Sequence, residues 1–273
     1  MTQSKALYDR THLARFGQIA RGNKALAAKF FEYYGEVFGP GVLGPREKSL
    51  SALSVAHAVQ CPYCIDAYTS SALANGADLE EMTEAIHVTA VVRGGSVALY
   101  GLQMVGQAAK LEMAPSTVPV SEAYFAPLHP SMRAEFSKIV ERLGERWTRY
   151  EAASLDEGTL DAVTKNLIAL AVAHAIQCPY SIELHTRRAA ALGLGLESMT
   201  EAVHIAAAIR AGAALVHGVQ MLEAYDQAKS MSGAEPSDHA EPSDHAEPSD
   251  HAEPSNHAEP ADHTALRVHD AWR

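Results

Sequence analysis

The chain has 273 residues, 47% of them hydrophobic and 20% charged, with a formal net charge of −11. Apolar material is ample for one large core or two small ones, which excludes a wholly disordered protein. No basic surface for nucleic acid is apparent, and three cysteines in so long a chain do not make a disulfide scaffold.

Much of the negative charge is local. The segment Ala234–His263 holds nine acidic residues and no Lys or Arg, so the remainder is close to −2. The N-terminal MTQSKALYDR lacks the apolar core of a signal peptide, and no uninterrupted apolar run reaches membrane-spanning length. A soluble cytoplasmic protein without membrane or nucleic-acid partners is expected.

In chain order, Thr11 can cap a first helix carrying Leu13, Phe16, Ile19 and Ala20 at helical spacing. A second helix, Leu26–Phe38, bears the aromatic stripe Phe30, Phe31, Tyr33, Tyr34 and Phe38, read as core or subunit contact, or else as a substrate wall. Gly39, Pro40, Gly41, Gly44 and Pro45 break it. Arg46–Gln60 is again helical, and Pro62 to about Ala74 forms a helix closed by the left-handed cap signal Asn75-Gly76. Leu79–Arg93 follows, Gly94-Gly95 is expected to interrupt it, and Ser96–Leu111 completes the first half.

Ala114–Pro127, with three prolines, reads as a linker between residues 1–113 and 128–230. His129–Ala153 matches the first half weakly, with Phe136 and Ile139 set beside Phe16 and Ile19. Asp156–Ser230 then repeats the helix order, with Gly193 at the cap and Gly212 at the expected break. Residues 231–273 read as a disordered tail, because five AEPSDH-like hexads place a proline every sixth residue and offer nothing to bury. Its histidines and carboxylates give it at most a weak affinity for divalent metal.

The chemistry centres on Cys61-Pro62-Tyr63-Cys64. Two thiols at this spacing can close a small disulfide ring, and a proline opening the next helix puts Cys61 at that helix's N-terminus, where amide dipoles favour a thiolate. The stretch returns as Thr164–Thr186, with Cys178 kept but Ser181 in place of Cys64 and His185 in place of Tyr68. Aligned without a gap, Lys48–Met104 and Lys165–Met221 share 30 of 57 residues. The chain is therefore a tandem duplication in which only the first copy can form the internal disulfide. CPYC also occurs after a β-strand in glutaredoxin-like proteins, but SALSVAHAVQ before it is Ala-rich and helical, and no alternating strand pattern is present.

The Ala/Leu helix, the CxxC, the capped helix and the following EAIHVTAVVRGG together resemble the carboxymuconolactone decarboxylase superfamily, in its CxxC-bearing, alkyl hydroperoxidase D-like branch. The resemblance covers roughly Leu43–Met104 and Leu160–Met221. The flanking FGQIARGNKALAAKFFEYYGEVFGPGVLGPREK resembles a narrower group, the arsenosugar biosynthesis-associated peroxidase-like proteins. The fold implied is all-α, two tandem alkyl hydroperoxidase D-like helical repeats in a pseudo-symmetric bundle, and a homo-oligomer is implied with it. The activity implied is a thiol-dependent, peroxiredoxin-type peroxidase acting on a peroxide substrate, with an external dithiol as reductant. Cys64 would attack the peroxide and Cys61 resolve it, whereas the helix-dipole argument alone favours Cys61 as the more acidic thiol. The family's relay Glu and His fall on Ser49 and Tyr68 in the first copy and on Asn166 and His185 in the second, so neither copy has the complete relay.

His57, one turn before Cys61 and repeated as His174, is the residue best placed by spacing to take a thiol proton, although a packed helix histidine gives the same pattern. His87 and His204 read as pocket-lining or structural, and Glu84 and Glu201, one turn earlier, as groups that orient them or as exposed helix carboxylates. Cys178 with Ser181 reads as a decayed site. No flavin, haem or nucleotide motif is visible, so no cofactor is expected. Two other functions fit the residues: a zinc or trivalent-arsenic site formed by Cys61, Cys64, His57 and His87, and a non-thiol decarboxylase-like enzyme.

Overall fold

The computed structural model describes residues 8–113 and 130–232, and every regular element among them is helical. The sequence-based linker 114–127 and the hexad tail lie outside the described residues. The elements are α1 (Thr11–Ala14), a 3-10 turn (Phe16–Arg21), α2 (Lys24–Phe38), α3 (Pro45–Ala58), α4 (Pro62–Ala74) and α5 (Leu79–Lys110). The second half supplies α6 (Pro130–Ile139), α7 (Glu141–Leu155), α8 (Ala162–Ala175), α9 (Pro179–Ala191) and α10 (Leu196–Met231).

Helices α3 and α8 form the axis of the bundle. From Lys48 to Ala58 every residue of α3 except His57 is buried, and from Thr164 to Ala175 every residue of α8 except His174. Helices enclosed on all sides need small or apolar residues all round rather than on one stripe, hence their Ala/Leu/Val composition. They pack on each other and are flanked by α5 and α10, so that one continuous core draws on both halves.

The glycine pairs do not end the long helices. Helix α5 runs unbroken through Gly94 and Gly95, and α10 through Gly212. A glycine inside a helix costs only about 1 kcal/mol, and at Gly94 the reason for bearing that cost is close approach: an added Cβ would lie 2.5 Å from the Trp147 ring. Leu79–Ala108 and Leu196–Met231 are long and apolar enough to cross a bilayer, although 44% of each apolar window is buried inside the bundle.

The first helix is shorter than its spacing suggests. Thr11 lies inside α1, with its backbone N–H and hydroxyl both donating to Asp9, and the chain tightens into the 3-10 turn at Phe16. The weak match around 130–155 resolves into α6 and α7. Ile19 lies against Gly218, and Phe136 lies against Gly101, so Phe136 is the counterpart of Ile19 rather than of Phe16.

The halves are interleaved. Helix α2 packs on α10, and α7 packs on α5, each against the other half's last helix. The polar contacts come in matching pairs. Lys48 Nζ donates to the Val37 and Gly39 carbonyls (3.0 and 2.8 Å) and lies 3.4 Å from Glu201, whose carboxylate accepts from the N–H groups of Val42 and Leu43 (2.7 and 3.0 Å). Lys165 Nζ donates to the Asp156 carbonyl (2.8 Å) and lies 3.0 Å from Glu84, which accepts from Thr159 and Leu160 N–H (3.1 and 2.9 Å). Glu84 and Glu201 therefore tie the halves together rather than orient the histidines one turn on.

Candidate active site

Cys61 is placed by the way α3 ends. Gln60 adopts φ +56°, its N–H donating to the His57 carbonyl and that of Cys61 to the Ala56 carbonyl, which is the paired arrangement of a Schellman cap. Gln177 repeats the same φ before Cys178. The chain then extends at Cys61, and Pro62 opens α4, where its missing N–H costs nothing. As N-cap, Cys61 presents its Sγ to the Cys64 N–H at 3.2 Å. Both thiols are reduced and buried.

The two sulfurs are unequal. The hydrogen bond from the Cys64 thiol brings Cys61 down to about 7 against the opposing effect of burial, helped by the Cys64 N–H and by His217. Cys64, as the donor and more deeply enclosed, is pushed up. His217 comes from α10 of the second half, where the first half has Tyr100, and its ring lies 5.2 Å from that of Tyr63.

Behind Tyr63 is a buried polar chain that spacing did not disclose. His12 Nδ1 is 2.8 Å from Tyr63 Oη and its Nε2 is 3.2 Å from Glu223, which also pairs with Arg15. Gln220 Nε2 donates to the same phenol at 3.2 Å. These residues lie on α1 and α10, far from the CxxC in sequence, and no motif or spacing joins them to it.

Tyr68 is fully buried near both sulfurs, hydrogen-bonded to Tyr34 and stacked on Phe38 at 5.8 Å. Burial, then Tyr34, pushes its phenol up, which leaves it a neutral wall. His57 is half-buried with Nδ1 on its own helix, 2.9 Å from the Leu53 carbonyl, and His174 repeats this at 2.8 Å from Leu170. His87 is exposed, 2.8 Å from Tyr150 Oη on α7, as His204 is 3.0 Å from Tyr33. The structure thus groups Cys61, Cys64 and Tyr68 and turns His87 elsewhere. The four-ligand zinc reading fails on this placement: no group of three or more His, Cys, Asp or Glu among the described residues is arranged to hold a metal.

The sequence profile of the carboxymuconolactone decarboxylase family matches residues 24–106 and again 141–224. The chain belongs to that family. Its two matched regions are the two halves of the duplication, each entering at the first residues of α2 or α7. Among relatives, a protein described as uncharacterized protein 4 in the cox locus of Paracoccus denitrificans is 46% identical over 83 residues, 30% of this chain and 75% of its own length. Among solved structures, one assigned as a gamma-carboxymuconolactone decarboxylase subunit of Burkholderia xenovorans has a TM-score of 0.65 at 15% identity. It covers 82% of this chain and all of its own, and at that identity the likeness is one of fold. In the family's second copy here, Cys178 keeps the cap geometry, with Ser181 N–H 3.5 Å from its sulfur. His185 is buried there, and burial, followed by Arg188 and Arg133, brings its imidazole down to about 4. Its charged neighbours, Arg133 and Arg188, belong to its own half.

Proposed function

We propose that the first half is a thiol-dependent peroxidase in which Cys61 and Cys64 cycle between dithiol and disulfide. The observation that carries this is the cap geometry: Cys61 Sγ sits at the N-terminus of α4 and accepts the Cys64 N–H at 3.2 Å, where the amide dipoles favour a thiolate, with the second thiol one turn away to close the ring. The cap makes Cys61 the attacking thiolate and Cys64 the resolving thiol, the reverse of the order the family resemblance implies. The Cys61 thiolate attacks the terminal peroxide oxygen, the O–O bond breaks, and the departing oxide takes a proton to leave as alcohol or water. Cys64 then condenses with the resulting sulfenic acid, releasing water and forming the disulfide. An external dithiol reduces the disulfide and restores both thiols.

Tyr68 contributes a neutral, enclosed wall, and His217 a polar neighbour that favours the thiolate. His57, one turn before Cys61, is a proton acceptor through Nε2 if its Nδ1 stays on Leu53. The vicinal pair is also a soft bidentate ligand for trivalent arsenic, so arsenite is expected to block turnover.

Stopped-flow peroxide consumption with an excess dithiol tests the reading. Cys61→Ser should abolish the fast phase, Cys64→Ser should consume one equivalent and stall, and Cys178→Ser should match the wild type. A fast phase that survives Cys61→Ser but not Cys64→Ser restores the family order. Activity that survives loss of both thiols favours a non-thiol, decarboxylase-like enzyme.

A further inference from the structure

The second half contains a cavity of about 1250 Å³ between α5, α6, α7 and α9, walled by Leu99, Leu102, Phe136, Trp147, Tyr180 and Leu184. The duplication supplies its control. In the first half the matching space is filled by Phe16, Phe30, Phe31 and Tyr34, with ring centroids 5.4–6.4 Å apart. In the second half Arg133 stands for Phe16, Thr148 for Phe31 and Glu151 for Tyr34, and only Trp147, for Phe30, keeps a ring. Arg133 and Glu151 pair with each other at 2.6–2.7 Å along the wall instead of filling the space.

The space is partly open to solvent rather than sealed, and what marks it is the set of substitutions that empties it in one copy alone. Its volume and mostly apolar lining are those of a small-molecule site.

We infer that this cavity binds a largely apolar small molecule, at a site separate from Cys61 and Cys64 and formed by substitutions peculiar to the second half.

The probe is anilinonaphthalene sulfonate, a largely apolar ring system, titrated into the full chain carrying Trp272→Phe so that Trp147 is the sole tryptophan. One dye per chain should bind, with Trp147 emission quenched by transfer to the dye. Restoring the first half's residues with Arg133→Phe, Thr148→Phe and Glu151→Tyr together should weaken binding at least tenfold. The single variant Ala98→Phe, which puts a ring into the cavity from α5, should do the same if the triple variant fails to fold. Neither change should alter peroxide consumption, so this result stands or falls apart from the thiol chemistry. The inference is overturned if the wild type binds no dye, or if neither filled variant weakens it. It is equally overturned if dye enters only after residues 114–129 are replaced by a Gly/Ser linker, which would make that segment the natural occupant.

Discussion

Cys61 owes its acidity, in falling order, to the Cys64 S–H, the Cys64 backbone N–H, His217 and the Tyr63 backbone N–H. All but His217 belong to the CxxC turn itself, and His217 reaches it across the interface between halves. His217→Phe should therefore raise the Cys61 pKa modestly above about 7, since the Cys64 thiol remains the larger influence, and slow alkylation at pH 7 by roughly two- to threefold. The sign for stability follows. A thiol whose pKa is lowered by folding stabilises the fold fully above its unfolded value, and this is lost as pH falls through about 7. Iodoacetamide kinetics from pH 5 to 9 would check the first statement, and an unchanged profile in the variant would remove His217 from the site. At this scale the sequence disclosed Cys61 and Cys64, because their chemistry lies in their spacing. It could not disclose His217, His12 or Glu223, which only the fold brings to Tyr63. His57 shows the converse, since its helical register is as expected but its Nδ1 is held by its own backbone.

Among the elements, the helix ends were readable and the helix interiors less so. Gly76 and Gly193 take the left-handed φ that their cap signals demanded, at +84° and +76°. The caps before the two cysteines carry no such signal, because glutamine holds the left-handed position at Gln60 and Gln177. A non-glycine residue there costs about 1–2 kcal/mol, offset in part by the extra chain entropy that glycine would lose. Gln177→Gly should accordingly leave stability unchanged or raise it by up to about 1 kcal/mol in urea unfolding. A loss of more than that would mean the glutamine side chain has a role of its own. Gly94 misled in the other direction: a residue that reads as a breaker serves close packing against Trp147 within a continuous helix. Gly41 and Gly158 are a third case, since a Cβ at either would overlap the carboxylate of Glu201 or Glu84. Those carboxylates are fixed by backbone N–H groups and cannot swing aside without losing them, so Gly158→Ala should cost about 1–3 kcal/mol.

For the whole molecule, the ungapped repeat announced pseudo-symmetry but not that each half would complete the other. Burial pushes Glu84 and Glu201 up, yet each ends below its ordinary value, because backbone N–H groups and a lysine from the opposite half outweigh it. The stability these carboxylates add is present above the unfolded carboxylate pKa and lost as pH falls through the lowered one. Glu84→Gln should then destabilise the chain by about 1–3 kcal/mol near neutrality and less at low pH, since Lys165, 1% exposed, loses its countercharge. The same reciprocity decides what half a chain can do. Residues 1–113 alone would leave α10 absent, exposing the faces of α2 and α3 that it covers and stranding Lys48. A second copy of the same fragment offers the remedy, because its Glu84 and His87 occupy the places of Glu201 and His204. Fragment 1–113 should therefore fold only as a two-fold dimer, its apparent stability rising with concentration. Light scattering coupled to gel filtration, with circular dichroism at several concentrations, distinguishes the outcomes. A monomeric fragment with the full chain's melting temperature would show that each half is self-sufficient and that the interleaved contacts are incidental.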